Sequence, residues 1–283
     1  VLATVDSFKK FKNKLAYYLA IFAMVFGSTF GTFNAANAVD LADDDVWGDV
    51  ITGTPAGSIA DPTAGLDVDL LEYALTINVA GSAVAIGDIT ATTGADATSD
   101  VLVVQDTTAA QTVTIGSIGA DVADFKVTAK SDAVGAVTVT VTGTTAVADL
   151  AVNGVNTTND FDATLNLNGA LTVAAEGTVV LTAAAKADAI LNLKGAGTNA
   201  LVAATLDDDT GLAQLNLAGT AAQTVTGTID SVGTAEGTVN VQNTGGTVTF
   251  SGIIGGSAGV KEVTTVASII SVLQDRKYVT VEK

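Results

Sequence analysis

Apolar and polar residues alternate along most of this chain in short runs. Val137-Thr138-Val139-Thr140-Val141-Thr142 places every second side chain on one face, and Thr247-Val248-Thr249-Phe250 does the same. A period of two is the signature of a half-buried strand. The apolar positions are rich in Val and Ile and the polar ones in Thr, β-branched residues that suit a pleated surface. Gly, Asn, Asp and Ala fill the breaks, where turns form. The pattern predicts strand after short strand from about Val84 onward, and no segment shows a sustained helical stripe. Asp67–Val79 fits a short helix or a first strand. Ser268–Gln274 is the best helix candidate late in the chain.

Some of these strands are near-copies. Leu165-Asn166-Leu167-Asn168-Gly169, Leu191-Asn192-Leu193-Lys194-Gly195, Leu215-Asn216-Leu217-Ala218-Gly219 and Val239-Asn240-Val241-Gln242-Asn243 start 26, 24 and 24 residues apart. Val139-Thr140-Val141-Thr142-Gly143 and Val113-Thr114-Ile115-Gly116 extend the series backwards in steps of 26, and Val263-Thr264-Thr265 extends it forwards by 24. A period in the twenties marks a stacked repeat.

Two architectures hold such strands. An antiparallel β-sandwich uses regular short strands but has no need for near-identical ones. A parallel β-solenoid does need them, because each coil must fit the next. The expected fold is therefore all-β, a right-handed parallel β-solenoid with coils of about 24–26 residues, and the sandwich is the second choice. Coils would stack at about 4.8 Å, the interstrand spacing. The Leu and Val positions would form inward ladders. Asn166, Asn192, Asn216 and Asn240 would form an outward or turn-side row joined coil to coil.

The ends of the chain read differently. Lys9, Lys10, Lys12 and Lys14 precede an apolar run from Leu15 to Phe26, and Ala36-Asn37-Ala38 follows as a small-residue cleavage signal. Residues 1–38 are thus expected to be a secretory signal peptide; the apolar run is short for a membrane anchor. Val1 fits a non-standard start codon or a fragment. Residues 39–83 form an acidic lead-in or cap, which any solenoid needs at an open edge. Residues 84–267 hold the repeats, and residues 268–283 end mid-strand, as a truncated chain would.

Charge narrows the function. The 283 residues carry a net charge of −18. Residues 1–38 hold four Lys and Asp6; without them 8 basic and 29 acidic residues remain, a net −21. Val39–Phe125 has 15 acids and no Lys or Arg. Nucleic acid and anionic membranes are poor partners for such a surface. Self-repulsion, or bridging by divalent cations, is what it favours. With no Cys there is no disulfide, so stability must come from burial and backbone pairing.

Chemistry is sparse. The chain has no His and no Cys, which removes Ser–His and Cys–His nucleophiles. Paired carboxylates remain for a polysaccharide-active β-helix. Yet Val137–Val266 offers only Lys186, Lys194 and Lys261 as cations and Phe161 and Phe250 as aromatics, a poor set for binding and cleaving a sugar chain. No enzyme is expected. Asp43, Asp44, Asp45 and Asp49, and Asp207, Asp208 and Asp209, offer hard oxygen ligands for calcium, although neither group matches an EF-hand loop and both also read as solvated turns. Asp160 and Asp162 read as a turn too. The threonine rows Thr138, Thr140 and Thr142, and Thr224, Thr226 and Thr228, suit strand propensity better than an ice-binding array.

The stretch from Asp209-Thr210-Gly211 through Leu215-Asn216-Leu217-Ala218-Gly219, Gln223-Thr224-Val225-Thr226-Gly227 and Val239-Asn240-Val241 to Gly245-Gly246-Thr247-Val248-Thr249-Phe250-Ser251-Gly252 and Ile254-Gly255-Gly256 resembles the passenger repeats of rickettsial outer-membrane surface antigens, of the autotransporter class. The likeness is clear over about Asn166–Val266. It implies a secreted structural protein on the outside of a bacterial outer membrane, forming a surface layer or acting as an adhesin passenger. Its partners would be further copies, other surface components, or a receptor on a host or neighbouring cell. A translocator barrel would need roughly 250 further residues of amphipathic strand; the stop at Tyr278-Val279-Thr280-Val281-Glu282-Lys283 fits either a fragment or a secreted relative without a barrel.

Overall fold

A computed structural model describes residues 56–59, 67–70, 74–79, 84–91, 101–105, 111–129, 135–155, 161–184, 186–265 and 270–272. Among them every strand pairing is parallel. The fold is a parallel β-solenoid, and the sandwich alternative falls with the absence of antiparallel pairs among the described residues. Each coil contributes one strand to an eight-stranded sheet and one or two to a thirteen-stranded sheet that bends around it.

The eight-stranded sheet contains the repeat. Its strands are Val84–Ile86, Gln111–Ile115, Val137–Val141, Ala163–Leu167, Ala189–Leu193, Ala213–Leu217, Glu236–Val241 and Val260–Thr265. Register pairs Val113 with Val139, Val139 with Leu165, Leu165 with Leu191, Leu191 with Leu215, Leu215 with Val239, and Val239 with Val263. These are the seven units of the sequence series. One more lies upstream, where Val84 pairs with Val113 across a longer coil.

Alternation then decides the core. Val113, Val139, Leu165, Leu191, Leu215 and Val239 are fully buried, as are their neighbours two residues on from Ile115 to Leu217. The other sheet faces them with its own inward rows. One runs through Leu75, Val101, Phe125, Leu150, Val179 and Ala204 in register. All six are buried. Each Leu or Val so placed contributes about 1.5–3 kcal/mol of transfer free energy.

The thirteen-stranded sheet bends because its long strands change phase. In Gly197–Asp208 the buried positions are Asn199, Leu201, Ala204 and Leu206, so the alternation breaks at Val202 and Ala203. At that point the register against Gln223–Ser231 shifts, Val202 has φ 59° and the facing Gly227 has φ 101°. A left-handed conformation is costly for a β-branched residue and free for glycine. In Thr145–Gly154 the phase slips at Ala148 and Asp149.

Glycine at the end of the repeat has a steric cause. A Cβ on Gly169 would collide with the carbonyl of Gly143, and one on Gly195 with the carbonyl of Gly169. Successive coils thus touch backbone to backbone at this corner.

Two segments expected to be non-strand or ambiguous are strands. Ala74–Val79 pairs with Ala56–Ile59 and Val101–Gln105, so the sheet already runs within the segment read as a lead-in. Ile270–Val272 pairs with Val248–Phe250, which corrects the helix expected over Ser268–Gln274. Val272 follows Val225 and Phe250 in register, and sheet pairing overrides a weak local preference.

Candidate functional site

Polar side chains cluster in two places, along the outer side of the eight-stranded sheet and at the corners. The first is the asparagine row. Asn192 Nδ2 donates to Asn166 Oδ1 at 3.0 Å, Asn216 to Asn192 at 2.8 Å and Asn240 to Asn216 at 2.7 Å. Threonines end the row. Asn166 Nδ2 reaches Thr140 Oγ1 at 3.4 Å, and Thr264 Oγ1 donates to Asn240 Oδ1. In-register stacking brings identical amides within bonding distance, and the amide both donates and accepts, so one row runs from Thr140 to Thr264. Asn166 and Asn216 are buried although they face outward, and Asn192 and Asn240 are partly exposed.

At the corners carboxylates accept backbone N–H groups from the next coil. Asp162 Oδ1 accepts Asp188 N at 2.9 Å and Asp188 Oδ1 accepts Leu212 N at 2.8 Å. Asp67 accepts Asp88 N at 2.7 Å, and Asp149 accepts both the N–H and the hydroxyl of Thr178 at 2.7 Å. Asp230 accepts Ser257 N at 3.0 Å. These acids replace the ladder bonds that a turning backbone cannot make. Sequence reasoning took Asp162 for a solvated turn and passed over the others. A signal was present: Asp162-Ala163 and Asp188-Ala189 stand at the same offset before Leu165-Asn166 and Leu191-Asn192.

A third group was missed entirely. Gln223 is buried, donating from Nε2 to the carbonyls of Leu193 and Gly195, both at 2.9 Å. Its Oε1 accepts Asn243 Nδ2 at 2.9 Å, and Asn243 Oδ1 in turn accepts Gly245 N and Gly246 N. Asn243 takes the place of the repeat glycine, so its side chain fills the corner where other coils bring backbones together.

The residues proposed for calcium are divided. Asp43, Asp44, Asp45 and Asp49 lie outside the described residues. Asp207 and Asp208 close the strand Gly197–Asp208, and Asp209 is exposed in the turn beyond it. The Asp208 carboxylate is held by Ala213 N. Burial, then the charges of Glu236, Asp208 and Asp209, raise the pKa of Asp207 above the usual carboxylate value. Glu236 itself accepts Gly233 N at 2.7 Å. No group of three or more metal-ligating side chains is arranged to hold an ion among the described residues.

The threonine rows are partly engaged as well. Thr142 Oγ1 donates to the carbonyls of Ile115 and Gly116 at 3.2 and 3.1 Å. Among the described residues no helix is long and apolar enough to cross a membrane. Comparison with known protein families, curated proteins and solved structures finds no match.

The asparagine row and the corner aspartates are thus directed at neighbouring coils. The class of protein this defines is a β-solenoid whose repeated polar residues are structural.

Proposed function

We propose that this chain is a structural building block of a bacterial cell surface, secreted and arranged as a surface layer or an autotransporter-like passenger. The observation that supports it most is where its conspicuous residues go. The asparagines bond to asparagines and the corner aspartates to backbone, so coil stacking accounts for them without a ligand. The resemblance of Asn166–Val266 to rickettsial surface-antigen repeats points the same way.

The acidic exterior then sets the spacing between copies, with divalent cations such as calcium bridging them. Electron microscopy of cell envelopes bearing a tagged copy tests the reading. An ordered lattice that dissolves on chelation supports the array. Isolated fibres that bind host or neighbouring cells would replace it with an adhesin. Cleavage of a saccharide that is lost on changing Asp207, Asp208 and Asp209 to Asn would overturn it in favour of an enzyme.

A further inference from the structure

Charge is distributed unevenly around the coils. On the outer side of the eight-stranded sheet, one row runs Thr114, Thr140, Asn166, Asn192, Asn216 and Asn240. The row beside it runs Thr112, Thr138, Thr164, Ile190, Gln214 and Thr238. Neither contains a charged residue from Gln111–Ile115 to Glu236–Val241, in a chain with net charge −18; on the next strand the exposed Glu262 follows Thr238 in register. Glu236, at the margin of this face, is turned to Gly233 N. The outer side of the bent sheet is different, carrying Asp124, Lys126, Asp149, Asp207 and Asp230 at partly exposed positions.

From this asymmetry we infer that the asparagine–threonine face is a self-association surface, and that its occupant is the same face of a second copy. The inference rests on the reading of the protein as a building block. Three arguments select this occupant. Long-range repulsion between strongly acidic chains opposes every approach, and over six strands these two rows add no local charge to it. The face repeats at the coil spacing of about 4.8 Å, so a copy turned by a two-fold axis matches it row for row. In the row the partly exposed Asn192 uses one amide hydrogen on Asn166 and one carbonyl lone pair for Asn216, leaving the others to reach across.

Size points to a lattice contact rather than an obligate dimer. Six strands of about five residues span roughly 29 by 17 Å at normal strand dimensions. Two such faces bury about 1,000 Å² together, at the lower limit for a specific interface.

The chain has no native Cys, so single cysteines report on contact cleanly. Ile190 lies on the partly exposed row of the middle strand, Ala189–Leu193, close to where the two-fold axis would pass. In the full chain, Ile190→Cys is expected to form a disulfide-linked dimer under mild oxidation, and Thr205→Cys on the bent sheet is expected to stay at least ten-fold behind. Sedimentation velocity of the unmodified chain should show association that strengthens as NaCl rises, because salt screens the repulsion that opposes it. Thr164→Glu with Gln214→Glu should abolish that association, while circular dichroism shows the strand signal unchanged.

Equal cross-linking at the two positions, or association untouched by the paired glutamates, would overturn the inference. So would an Ile190→Cys thiol shielded from a bulky maleimide in a monomeric sample, since the chain itself would then cover the face. A lattice that persists in the Thr164→Glu, Gln214→Glu variant would sink this inference and leave the building-block reading intact. Dimers through this face without any array would do the reverse.

Discussion

The two sheets of one solenoid follow different rules. From Gln111–Ile115 to Glu236–Val241 the eight-stranded sheet keeps one register, and its central rows place Val or Leu inward and Thr or Asn outward at every step. The thirteen-stranded sheet shifts register at Thr145/Val147 and Ala200/Val202 and admits Thr145 and Asn199 to the interior. Where a side chain bonds to its own copy on the next coil, the residue type must recur. Where the strand turns a corner, only its inward volume and backbone path are constrained, and sequence drifts.

The contrast is broken most severely at the inward row of the regular sheet. Leu191→Ala should cost about 2–5 kcal/mol in urea unfolding, because coils above and below hold the cavity open. Gly169→Ala should cost about 2 kcal/mol through backbone displacement at the Gly143 contact, and circular dichroism melting should register it. Asn216→Ala, which breaks the row at a buried position, should cost about 1–2 kcal/mol, with Asn240 and Asn192 left to seek new partners.

The bent sheet should respond with the opposite sign. Thr145 Oγ1 is buried without a hydrogen-bond partner, so Thr145→Val is expected to stabilise by about 1 kcal/mol. An equivalent loss of stability would mean that the hydroxyl has a partner. The smallest effect belongs to Asp207. Its folded pKa lies above its unfolded value, so the folded state binds the proton more tightly. Stability at this site therefore falls as pH rises from the ordinary carboxylate value through the raised one, and stays lower above it. Asp207→Asn should flatten that part of the pH–stability curve and raise the melting temperature slightly at neutral pH.

Legibility in the sequence followed the same division. The series Val113 to Val263 could be read because steps of 26 and 24 residues leave the motif intact, and each step is a register pair in the fold. Val84–Ile86 escaped because the next coil is longer and the spacing breaks. The asparagines could be singled out because a ladder repeats them. Gln223 and Asn243 could not, since they serve one corner each and differ from coil to coil. The corner aspartates were visible as acids, but their bonds to backbone N–H groups about one coil away depend on a chain path that alternation does not encode.

The central claim is that the repeat asparagines bond to one another along the coils. Side-chain amide hydrogen exchange followed by NMR tests it within one molecule, with the exposed Asn168 as reference. The account predicts Asn192, Asn216 and Asn240 side-chain amides exchanging at least ten-fold more slowly than that of Asn168. Exchange at a common rate would contradict it.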